Sequence, residues 1–364
     1  MKPKRIVILS NEDKGLYTFR GMLIKSLLAS GNEVTLCVPK GNSDNLLRSL
    51  GAKIRYTEID RRGTNPLKDL RLFTQYKRII REERPEFIIT YTIKCNVYGG
   101  RAAYRAGVPY AMNIAGLGSA FQKDNLLKKL VVGLYKKPAE KAQCVFFENE
   151  ENRKIFVEAV KCASDKTIVL PGAGVDLEEY PAAPMPPESP ITFLFMARIM
   201  KEKGFEELVE AFTLLKRDFG DDVRLNILGG MEENYADTVT RLEKKNIVRY
   251  FGVQKDVKPY IAESHCCVLP SYHEGMSNTL LECAAMGRPL ITTDIPGCRE
   301  AVIDGQSGFL VPVRNAAALY EALKKLYLLP AERKAQMGMA GRHRMEELFD
   351  KRKVVEMTLK GMGL

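Results

Sequence analysis

The chain has 364 residues, of which 45% are hydrophobic and 28% are charged, and it carries a net charge of +11. This composition is typical of a globular protein of about two domains and excludes a disordered or fibrous chain. No run of about twenty apolar residues is present, and the apolar stretch after the basic N-terminus is too short for a signal peptide. We therefore expect a cytoplasmic protein without a membrane span.

Cysteine, histidine and charged residues narrow the possible partners. The eight cysteines form no CxxC pair and only three histidines occur, so we interpret the cysteines as small core residues of a reduced compartment and expect no metal site. Residues 1–180 contain 31 Lys and Arg against 20 Asp and Glu, whereas the remainder contains 25 of each. A basic first half indicates an anionic membrane surface, a diphosphate or nucleic acid as partner; a basic surface without a partner is the alternative.

Strands and helices alternate along the first half of the chain. Apolar, β-branched runs predict strands at 6–10, 34–38, 87–92, 144–148 and 167–170. The stretches between them have helical spacing, as in the segment that contains Phe19, Met22 and Leu23. Such alternation predicts an α/β domain whose parallel sheet is covered by helices on both faces.

A second α/β domain follows a proline-rich segment. Half of residues 181–190 are proline, which excludes a helix and predicts a linker. Further strands are predicted at 191–197, 224–230, 247–251, 266–270, 290–294 and 308–311. We thus predict a first domain over 1–180, a second over 191–345 and a C-terminal helix over 346–364. Open parallel sheets bind ligands at the carboxyl ends of their strands, so a cleft between two such sheets is expected to hold the site.

The segment 197–212 predicts a site for an anion. A strand ends at Ala197, a loop with Arg198 and Lys203 follows, and Gly204 opens an amphipathic helix. The free N–H groups of a helix N-terminus, flanked by Arg and Lys, suit a diphosphate. A solvated basic surface is the alternative interpretation.

Two glutamates stand in the segment 270–302. Glu274 is expected in a loop, and Glu282 in a helix that begins at Asn278. Even along a continuous helix, their carboxylates lie roughly 12 Å apart, much farther than the roughly 5 Å of a retaining glycosidase pair. We therefore expect separate roles, with Glu282 reaching a ribose hydroxyl. A capping box formed by Thr279 and Glu282 is the alternative.

Two loops, one around Glu274 and one after the first strand, are expected to contact the sugar or the phosphates. Together with the N–H groups of Gly275, Met276 and Ser277, Glu274 is expected to meet a sugar and its diphosphate. The loop after the first strand, 10–20, contains Gly15, which permits close approach of backbone to a phosphate. This loop lacks the GxGxxG pattern of a dinucleotide fold, which argues against a dehydrogenase.

A basic amphipathic helix is predicted within 121–141 and is expected to end at Pro138. Leucines fall on one of its faces and lysines on another, as in helices that lie on anionic membranes. A core-packed helix with solvated lysines is the alternative. The lysines expected to contact the acceptor or the membrane are Lys123, Lys128, Lys129, Lys136 and Lys137.

Four segments together resemble a known family. The Arg198–Lys203 loop, Glu274-x7-Glu282 in EGMSNTLLE, IPGCREAVIDGQSGFLVP at 295–312 and LPGAGVDLEEY at 170–180 are similar to the retaining glycosyltransferases of family four, the group 1 transferases. The resemblance covers nearly the whole chain. It implies the GT-B fold: two Rossmann-like domains facing a cleft, an N-terminal acceptor domain, a C-terminal donor domain, and a C-terminal helix that returns to the first domain. It also implies retention of anomeric configuration without a metal or other cofactor.

The resemblance also implies roles for individual residues. Arg198 and Lys203 bind and stabilise the leaving diphosphate. The resemblance implies that this diphosphate belongs to UDP, because the family commonly uses UDP-sugars. Glu282 contacts the ribose, and Glu274 the transferred sugar. In addition, Gly15 approaches the phosphates from the other domain, and backbone near Val253 meets the base.

Residues 91–121 carry a narrower resemblance, to transferases that extend undecaprenyl-diphosphate-linked sugars, including a type that adds N-acetylgalactosamine or galactose. Thr92 and Lys94 match that pattern, whereas Tyr91 stands where many relatives have a histidine, so a general base at this position is not implied. The expected partners are a UDP-hexose or UDP-N-acetylhexosamine donor, a lipid-linked saccharide acceptor and an anionic membrane surface.

Two other functions fit the sequence less well. A nucleotide-sugar epimerase of the same fold needs histidines and carboxylates around the anomeric carbon, and histidine is scarce here. A nucleic-acid-binding protein, or another basic protein that binds anions without catalysis, would use the basic half. No Trp is present and no basic run is interleaved with aromatic residues, so no nucleic-acid partner is expected.

Overall fold

The computed structural model describes residues 2–60, 63, 65–118, 121, 126–162 and 164–364. The chain divides into two compact units. The first consists of Met1–Ala173 with Arg352–Leu364, and the second of Gly174–Lys351. Each unit is built around one parallel sheet with helices between successive strands, which confirms the predicted fold class.

The first unit contains a seven-stranded parallel sheet in the order β3-β2-β1-β4-β5-β6-β7. Its strands are β1 (Arg5–Leu9), β2 (Glu33–Val38), β3 (Lys53–Tyr56), β4 (Phe87–Tyr91), β5 (Tyr110–Ile114), β6 (Cys144–Phe147) and β7 (Thr167–Val169). Strands β3 and β5 are additions to the five that the apolar runs predict. β3 is an edge strand with charged residues, and β5 is a buried strand that includes a polar Asn113.

Helices connect these strands and cover the sheet. They are α1 (Asp13–Ala29), α2 (Asp44–Ser49), α3 (Pro66–Glu83), a π-helix (Cys95–Gly99), α4 (Gly100–Arg105), α5 (Leu126–Lys141) and α6 (Glu150–Val160). The expectation that Pro138 ends α5 is wrong, because the helix continues to Lys141. Pro138 lies in the last turn, where its carbonyl accepts hydrogen bonds from Ala142 N and the Tyr110 hydroxyl.

The second unit contains a six-stranded parallel sheet in the order β10-β9-β8-β11-β12-β13. Its strands are β8 (Ile191–Met196), β9 (Val223–Leu228), β10 (Arg249–Tyr250), β11 (Cys266–Leu269), β12 (Leu290–Thr293) and β13 (Gly308–Val311). All six coincide with predicted runs. The helices are α7 (Phe205–Phe219), α8 (Ala236–Lys244), α9 (Lys258–Ala262), α10 (Asn278–Ala285), α11 (Ala316–Leu328) and α12 (Ala331–Arg344).

Buried apolar side chains fill the space between sheets and helices in both units. The first sheet separates two clusters, one around Val7 and Ile88 and the other around Ile8 and Ile89, as expected when both faces are covered. A single larger cluster fills the second unit. All eight cysteines are buried and free, which confirms their interpretation as core residues.

The boundaries of the two units differ from those predicted. Residues 181–190 belong to the second unit, where the buried Arg288 guanidinium donates to the carbonyl oxygens of Ala183 and Pro184 at 3.2 and 2.8 Å. These hydrogen bonds attach the proline-rich segment to the second unit. The segment contains no helix or strand, as its composition predicts.

The C-terminal segment is two helices rather than one. A π-helical turn (Met345–Phe349) ends at Asp350, and α13 (Lys351–Met362) follows. The break arises because the backbone pairs with Val175, whose N–H donates to Phe349 O and whose carbonyl accepts from Lys351 N. Residues 352–364 belong to the first unit, where Val354, Val355 and Met362 join its core. Among the described residues, no helix combines the length and apolarity required to cross a bilayer.

Candidate active site

The loops that carry most of the predicted site residues emerge at the carboxyl edge of the second sheet. The strand order reverses direction between β8 and β11, and ligands of open parallel sheets bind at such a switch point. The loop after β8 contains Arg198 and Lys203, and the loop after β11 contains Glu274. The fold therefore brings the two most strongly predicted segments to neighbouring positions.

A tight turn leads from β8 into α7. Residues Lys201–Lys203 form a 3-10 turn, and Gly204 then adopts a left-handed conformation with φ of +69°. A Cβ atom on Gly204 would lie 2.0 Å from the carbonyl oxygen of Pro270. Only glycine fits here, because it tolerates positive φ and leaves room for the neighbouring backbone.

Lys203 and Glu274 form a half-buried ion pair at the switch point. The distance from Lys203 Nζ to Glu274 Oε1 is 2.5 Å, and their side chains are only 16% and 13% exposed. The two loops are also joined through backbone, since Tyr272 N donates to Glu202 O at 2.8 Å. A half-buried cation and a half-buried carboxylate thus lie beside the N-terminus of α7.

Two other predicted donor-site residues lie at the same edge but are exposed. The Arg198 side chain is 49% exposed, and its Nη1 lies 3.6 Å from Glu232 Oε1. Val253 follows β10 and is 68% exposed, and its Cγ2 lies beside Gly230, which follows β9. Arg198 therefore pairs with Glu232 in this structure, while Lys203 pairs with Glu274.

The loop Gly275–Ser277 is braced by a second loop. Ser277 N donates to Gly297 O at 2.9 Å, so the expectation that this N–H is available to a diphosphate is wrong. Gly297 has φ of +82°, and a Cβ there would lie 2.4 Å from Gly275 O. No role for Gly297 was predicted, although a glycine after Ile295-Pro296 indicates a close backbone approach. The Met276 side chain of this loop is buried in the core of the second unit.

Helix α10 begins at Asn278 with Ser277 as its N-cap residue. The Thr279 hydroxyl donates to Met196 O at 2.9 Å, attaching the helix to the end of β8. The capping-box alternative for Thr279 and Glu282 is therefore wrong, because Thr279 lies within the first turn and Glu282 is free for another role.

Glu282 lies in an unusual electrostatic environment. Burial raises the pKa of its carboxyl from 4.5 to about 7, against the opposing effects of Lys351 and of a hydrogen bond with the Tyr180 hydroxyl. Lys258 also lies nearby, with its Nζ 5.7 Å from the centre of the Tyr180 ring. Tyr180 was missed from the sequence, since about one hundred residues separate it from Glu282. Strongly perturbed carboxyl groups are typical of functional sites.

The first unit presents its own carboxyl edge, and here one expectation is corrected. The predicted loop 10–20 is short, because α1 begins at Asp13 and includes Gly15 and Thr18. Gly15 is a first-turn residue of that helix rather than a loop glycine. The Glu12 carboxylate lies over this turn, with its Oε2 3.2 Å from the position of a Cβ on Gly15.

Lys94 and Thr92 differ in what they contact. Lys94 Nζ lies 2.7 Å from Asp69 Oδ1, and the Tyr98 hydroxyl donates to the other oxygen of Asp69 at 2.9 Å. The charge of Lys94 is therefore already neutralised. Thr92 has φ of +74°, a left-handed conformation that is rare for a β-branched residue.

Helix α5 starts with an exposed apolar turn. Leu126 and Leu130 are 83% and 60% exposed, whereas Tyr135 is buried in the core. Lys129, Lys136 and Lys137 are exposed, and Lys128 is partly buried. The helix is thus core-packed in its second half and apolar and basic on its surface in its first half. Lys123 lies outside the described residues.

Comparisons with known families assign the class of the protein. A family model described as glycosyl transferase 4-like matches residues 5–149, and one described as glycosyl transferases group 1 matches residues 190–328. One match falls in each unit, and together they span most of the chain. The chain belongs to the group 1 glycosyltransferases with the GT-B fold, and its Lys203 and Glu274 lie in the second matched segment.

Individual relatives extend this assignment. The chain is 28% identical, over 98% of its length and 97% of the relative's, to N,N'-diacetylbacillosaminyl-diphospho-undecaprenol alpha-1,3-N-acetylgalactosaminyltransferase of Campylobacter jejuni. A glycosyltransferase from Rickettsia africae has a similar fold, with a TM-score of 0.82 and 19% identity over 100% of this chain and 98% of that one. Anabaena Alr3699/HepE, solved with UDP and glucose, matches with a TM-score of 0.81 and 16% identity over 99% of both chains.

Proposed function

We propose that this glycosyltransferase moves a hexose or N-acetylhexosamine from a UDP-sugar to a polyprenyl-diphosphate-linked saccharide, with retention of configuration, in surface polysaccharide or glycan biosynthesis. The observation that carries the proposal is the half-buried Lys203–Glu274 pair at the switch point of the second sheet. The name of the Campylobacter jejuni relative supports a lipid-linked acceptor, and the UDP complex of the Anabaena protein supports a UDP-sugar donor.

In the proposed reaction, Lys203 stabilises the charge that develops on the leaving diphosphate. An ammonium group held in a largely buried position needs little reorganisation when that charge appears, and such preorganised groups contribute about 2.7–4 kcal/mol each to transition-state stabilisation. Arg198 reaches the same diphosphate as a second cation by exchanging its long contact with Glu232. The planar guanidinium of Arg198 can donate hydrogen bonds to two phosphate oxygens at once.

Glu274 has a different role in this proposal. Its carboxylate accepts hydrogen bonds from the hydroxyl groups of the transferred sugar, and its ion pair with Lys203 fixes its direction before the donor arrives. When the diphosphate engages Lys203, the carboxylate of Glu274 is released toward the sugar. In the proposed step the acceptor hydroxyl oxygen bonds to the anomeric carbon on the face from which the diphosphate departs. Its proton passes to the departing diphosphate oxygen, and the configuration is retained.

We also propose that cationic side chains fill the role that a divalent metal has in other nucleotide-sugar reactions. Lys203 and Arg198 supply two positive charges for one diphosphate. The test is transferase activity measured with and without excess EDTA. Equal rates support the proposal, and a loss of activity that Mg²⁺ or Mn²⁺ restores contradicts it.

The function is tested by a transfer assay with radiolabelled UDP-N-acetylgalactosamine or UDP-galactose and an undecaprenyl-diphosphate-linked N-acetylhexosamine. We expect a labelled lipid-linked product whose new bond has the α configuration of the donor, as determined by proton NMR coupling constants. Conversion of the UDP-sugar to its epimer without acceptor indicates an epimerase instead. UDP binding without any turnover indicates a binding protein.

Two lysine variants in the turn after β8 separate a catalytic role of Lys203 from a general effect of positive charge. Lys203→Ala is expected to lower turnover more than tenfold at an unchanged melting temperature. Lys201→Ala is the matched control, since Lys201 lies two residues away, is exposed, and pairs with Glu206 at 3.4 Å. Similar losses in both variants contradict the assignment to Lys203.

The exposed start of α5 supports a membrane surface as a further partner. Leu126 and Leu130 are exposed next to Lys129, and each Lys near an anionic surface contributes about 1 kcal/mol to binding. We expect co-sedimentation with phosphatidylglycerol liposomes at low salt, lost in the Leu126→Ser, Leu130→Ser double variant. Equal sedimentation of wild type and double variant contradicts this surface.

A further inference from the structure

A cavity lies at the amino edge of the second sheet, at the opposite end of the strands from the loops of Lys203 and Glu274. Its volume is about 280 Å³, close to the lower end of the roughly 300–1,000 Å³ of small-molecule sites. The six residues of β8 span roughly 20 Å from one edge of the sheet to the other, so the cavity is separate from the proposed donor site. Its polar lining includes Ser189, Thr192, Arg224, Asn226, Arg249 and Glu263.

Three neighbouring strands present polar side chains on one face of the sheet at this edge. Arg224 and Asn226 are two residues apart in β9 and therefore point to the same face. Thr192 of β8 pairs in register with Arg224, and Arg249 of β10 pairs in register with Asn226. Register partners in a parallel sheet share a face, so the strand pairing brings all four side chains to the face that the cavity covers.

Asn226 carries a buried amide without a partner in the protein. The residue lies in the middle of β9 and is only 7% exposed. Over the residues that the structure describes, its side chain makes no hydrogen bond. Native proteins pair nearly all buried polar groups. Because the Asn226 side chain lines the cavity, a molecule in the cavity is the partner that its position allows.

Arg224 and Arg249 add two positive charges to the lining. Neither arginine has a carboxylate within ion-pair distance in the described ranges of the chain. Asp221, close to Arg224 in sequence, pairs instead with Lys216 at 2.8 Å. Glu263 is the acidic residue of the lining, so the cavity has a net positive charge. Each guanidinium can donate two hydrogen bonds to an oxyanion.

The wall formed by the proline-rich segment is held in place by His265, which directly precedes β11. The Nδ1 of His265 accepts a hydrogen bond from Thr192 N at 3.0 Å. The ring therefore carries its proton on Nε2, which donates to Pro187 O at 2.9 Å. Burial lowers the pKa of this imidazole, in agreement with a neutral ring. These hydrogen bonds fix the segment against the sheet, so the cavity is formed before a ligand binds.

We propose that this cavity is a second ligand site, which binds a phosphate group, either free phosphate or the head of a small phosphorylated polyol. A phosphomonoester carries about −1.5 to −2 charges at pH 7, which matches two arginines better than a single carboxylate does. Arg224 and Arg249 bind the phosphate oxygens, and the Asn226 amide donates a further hydrogen bond. Glu263 and Ser189 remain to accept hydrogen bonds from the hydroxyl groups of a polyol.

The test is calorimetric titration of the full chain with glycerol 3-phosphate, with inorganic phosphate and, as the uncharged control, with glycerol. One double variant, Arg224→Gln with Arg249→Gln, removes both cations of the cavity. The matched control, Arg217→Gln with Arg241→Gln, removes two exposed arginines of the same unit that do not line the cavity. We expect glycerol 3-phosphate to bind at least tenfold more weakly to the first variant, and within twofold of wild type to the control and to Lys203→Ala. Both double variants should keep the Tm of wild type.

The ligands distinguish the two sources of the phosphate group. Tighter binding of glycerol 3-phosphate than of inorganic phosphate identifies a polyol phosphate, and equal affinities identify free phosphate; both results support the site. Absence of binding to wild type, equal affinity for glycerol, or an equal loss in the two double variants overturns it. Binding that is lost in Lys203→Ala places the phosphate at the proposed donor site and also overturns the second site.

A further variant tests the buried amide. Asn226→Asp keeps the shape of the side chain but places a negative charge in the cavity, so we expect glycerol 3-phosphate to bind at least tenfold more weakly. An affinity within twofold of wild type in this variant would overturn the assignment of the phosphate to this cavity. None of these titrations depends on sugar transfer, so a failure of this site leaves the proposed function standing, and a failure of the proposed function leaves this site standing.

Discussion

Glu282 offers a prediction in which stability and function move in opposite directions. Burial raises the pKa of its carboxyl from 4.5 to about 7 in the folded protein. Below pH 4.5 the group is protonated in both the folded and the unfolded state. Between pH 4.5 and 7 the unfolded chain loses its proton first, so stability that is fully present below pH 4.5 is lost as the pH rises through 7.

The magnitude follows from the size of the pKa rise. At about 1.4 kcal/mol for each unit of pKa, a rise from 4.5 to about 7 corresponds to about 3 kcal/mol of stability lost by pH 8. Glu282→Gln keeps the shape of the side chain and cannot ionise. We therefore expect the variant to gain up to about 3 kcal/mol over wild type at pH 8 and almost nothing at pH 4.5.

The assay is urea denaturation of both proteins across pH 4.5–8. Glu179→Gln removes an exposed carboxylate whose charge helps to raise the pKa of Glu282, so we expect it to reduce the pH dependence of stability without abolishing it. A constant difference between Glu282→Gln and wild type over this range contradicts a raised pKa of Glu282, as does a variant that is less stable at pH 8. The proposed ribose contact adds a second readout: wild type should prefer UDP over 2'-deoxy-UDP, and the variant should lose that preference.

Two further predictions address the turn after β8 and the exposed arginine. Gly204→Ala places a methyl group at φ of +69° and 2.0 Å from Pro270 O, so we expect a loss of more than about 2 kcal/mol in urea denaturation; an unchanged midpoint contradicts the close approach. Arg198→Ala removes an exposed side chain, so we expect an unchanged Tm with kcat at least tenfold lower. A normal kcat in that variant would exclude Arg198 from the reaction.

The sheets were largely predictable from the sequence, and the exceptions have physical reasons. Apolar runs predicted all six strands of the second sheet, because buried parallel strands are hydrophobic on both faces. Strand β3 was missed because its Lys53 and Arg55 form ion pairs at the sheet edge. The start of α1 was placed too late, since its N-cap residue, Glu12, makes no side-chain cap hydrogen bond that would mark the start.

The site was predictable where local sequence determines it. The position of Gly204 could be predicted because a glycine follows a basic loop and precedes an amphipathic helix. The parallel strand order then brings the loops of Lys203 and Glu274 together. Contacts between distant segments carry no local signal, and this is why the hydrogen bond between Tyr180 and Glu282 was missed. The hydrogen bond from Ser277 N to Gly297 O was missed for the same reason.

We propose above that Lys203 and Glu274 form part of a site for the diphosphate of a nucleotide donor. The most direct measurement is a calorimetric titration of UDP into wild type and Lys203→Ala, with GDP, ADP and NAD as competing nucleotides and Lys201→Ala as control. We expect UDP to bind wild type and Lys201→Ala alike, and Lys203→Ala to lose about 1–3 kcal/mol of binding free energy. No binding of UDP, binding of NAD alone, or equal UDP affinity in wild type and Lys203→Ala contradicts a diphosphate site at Lys203.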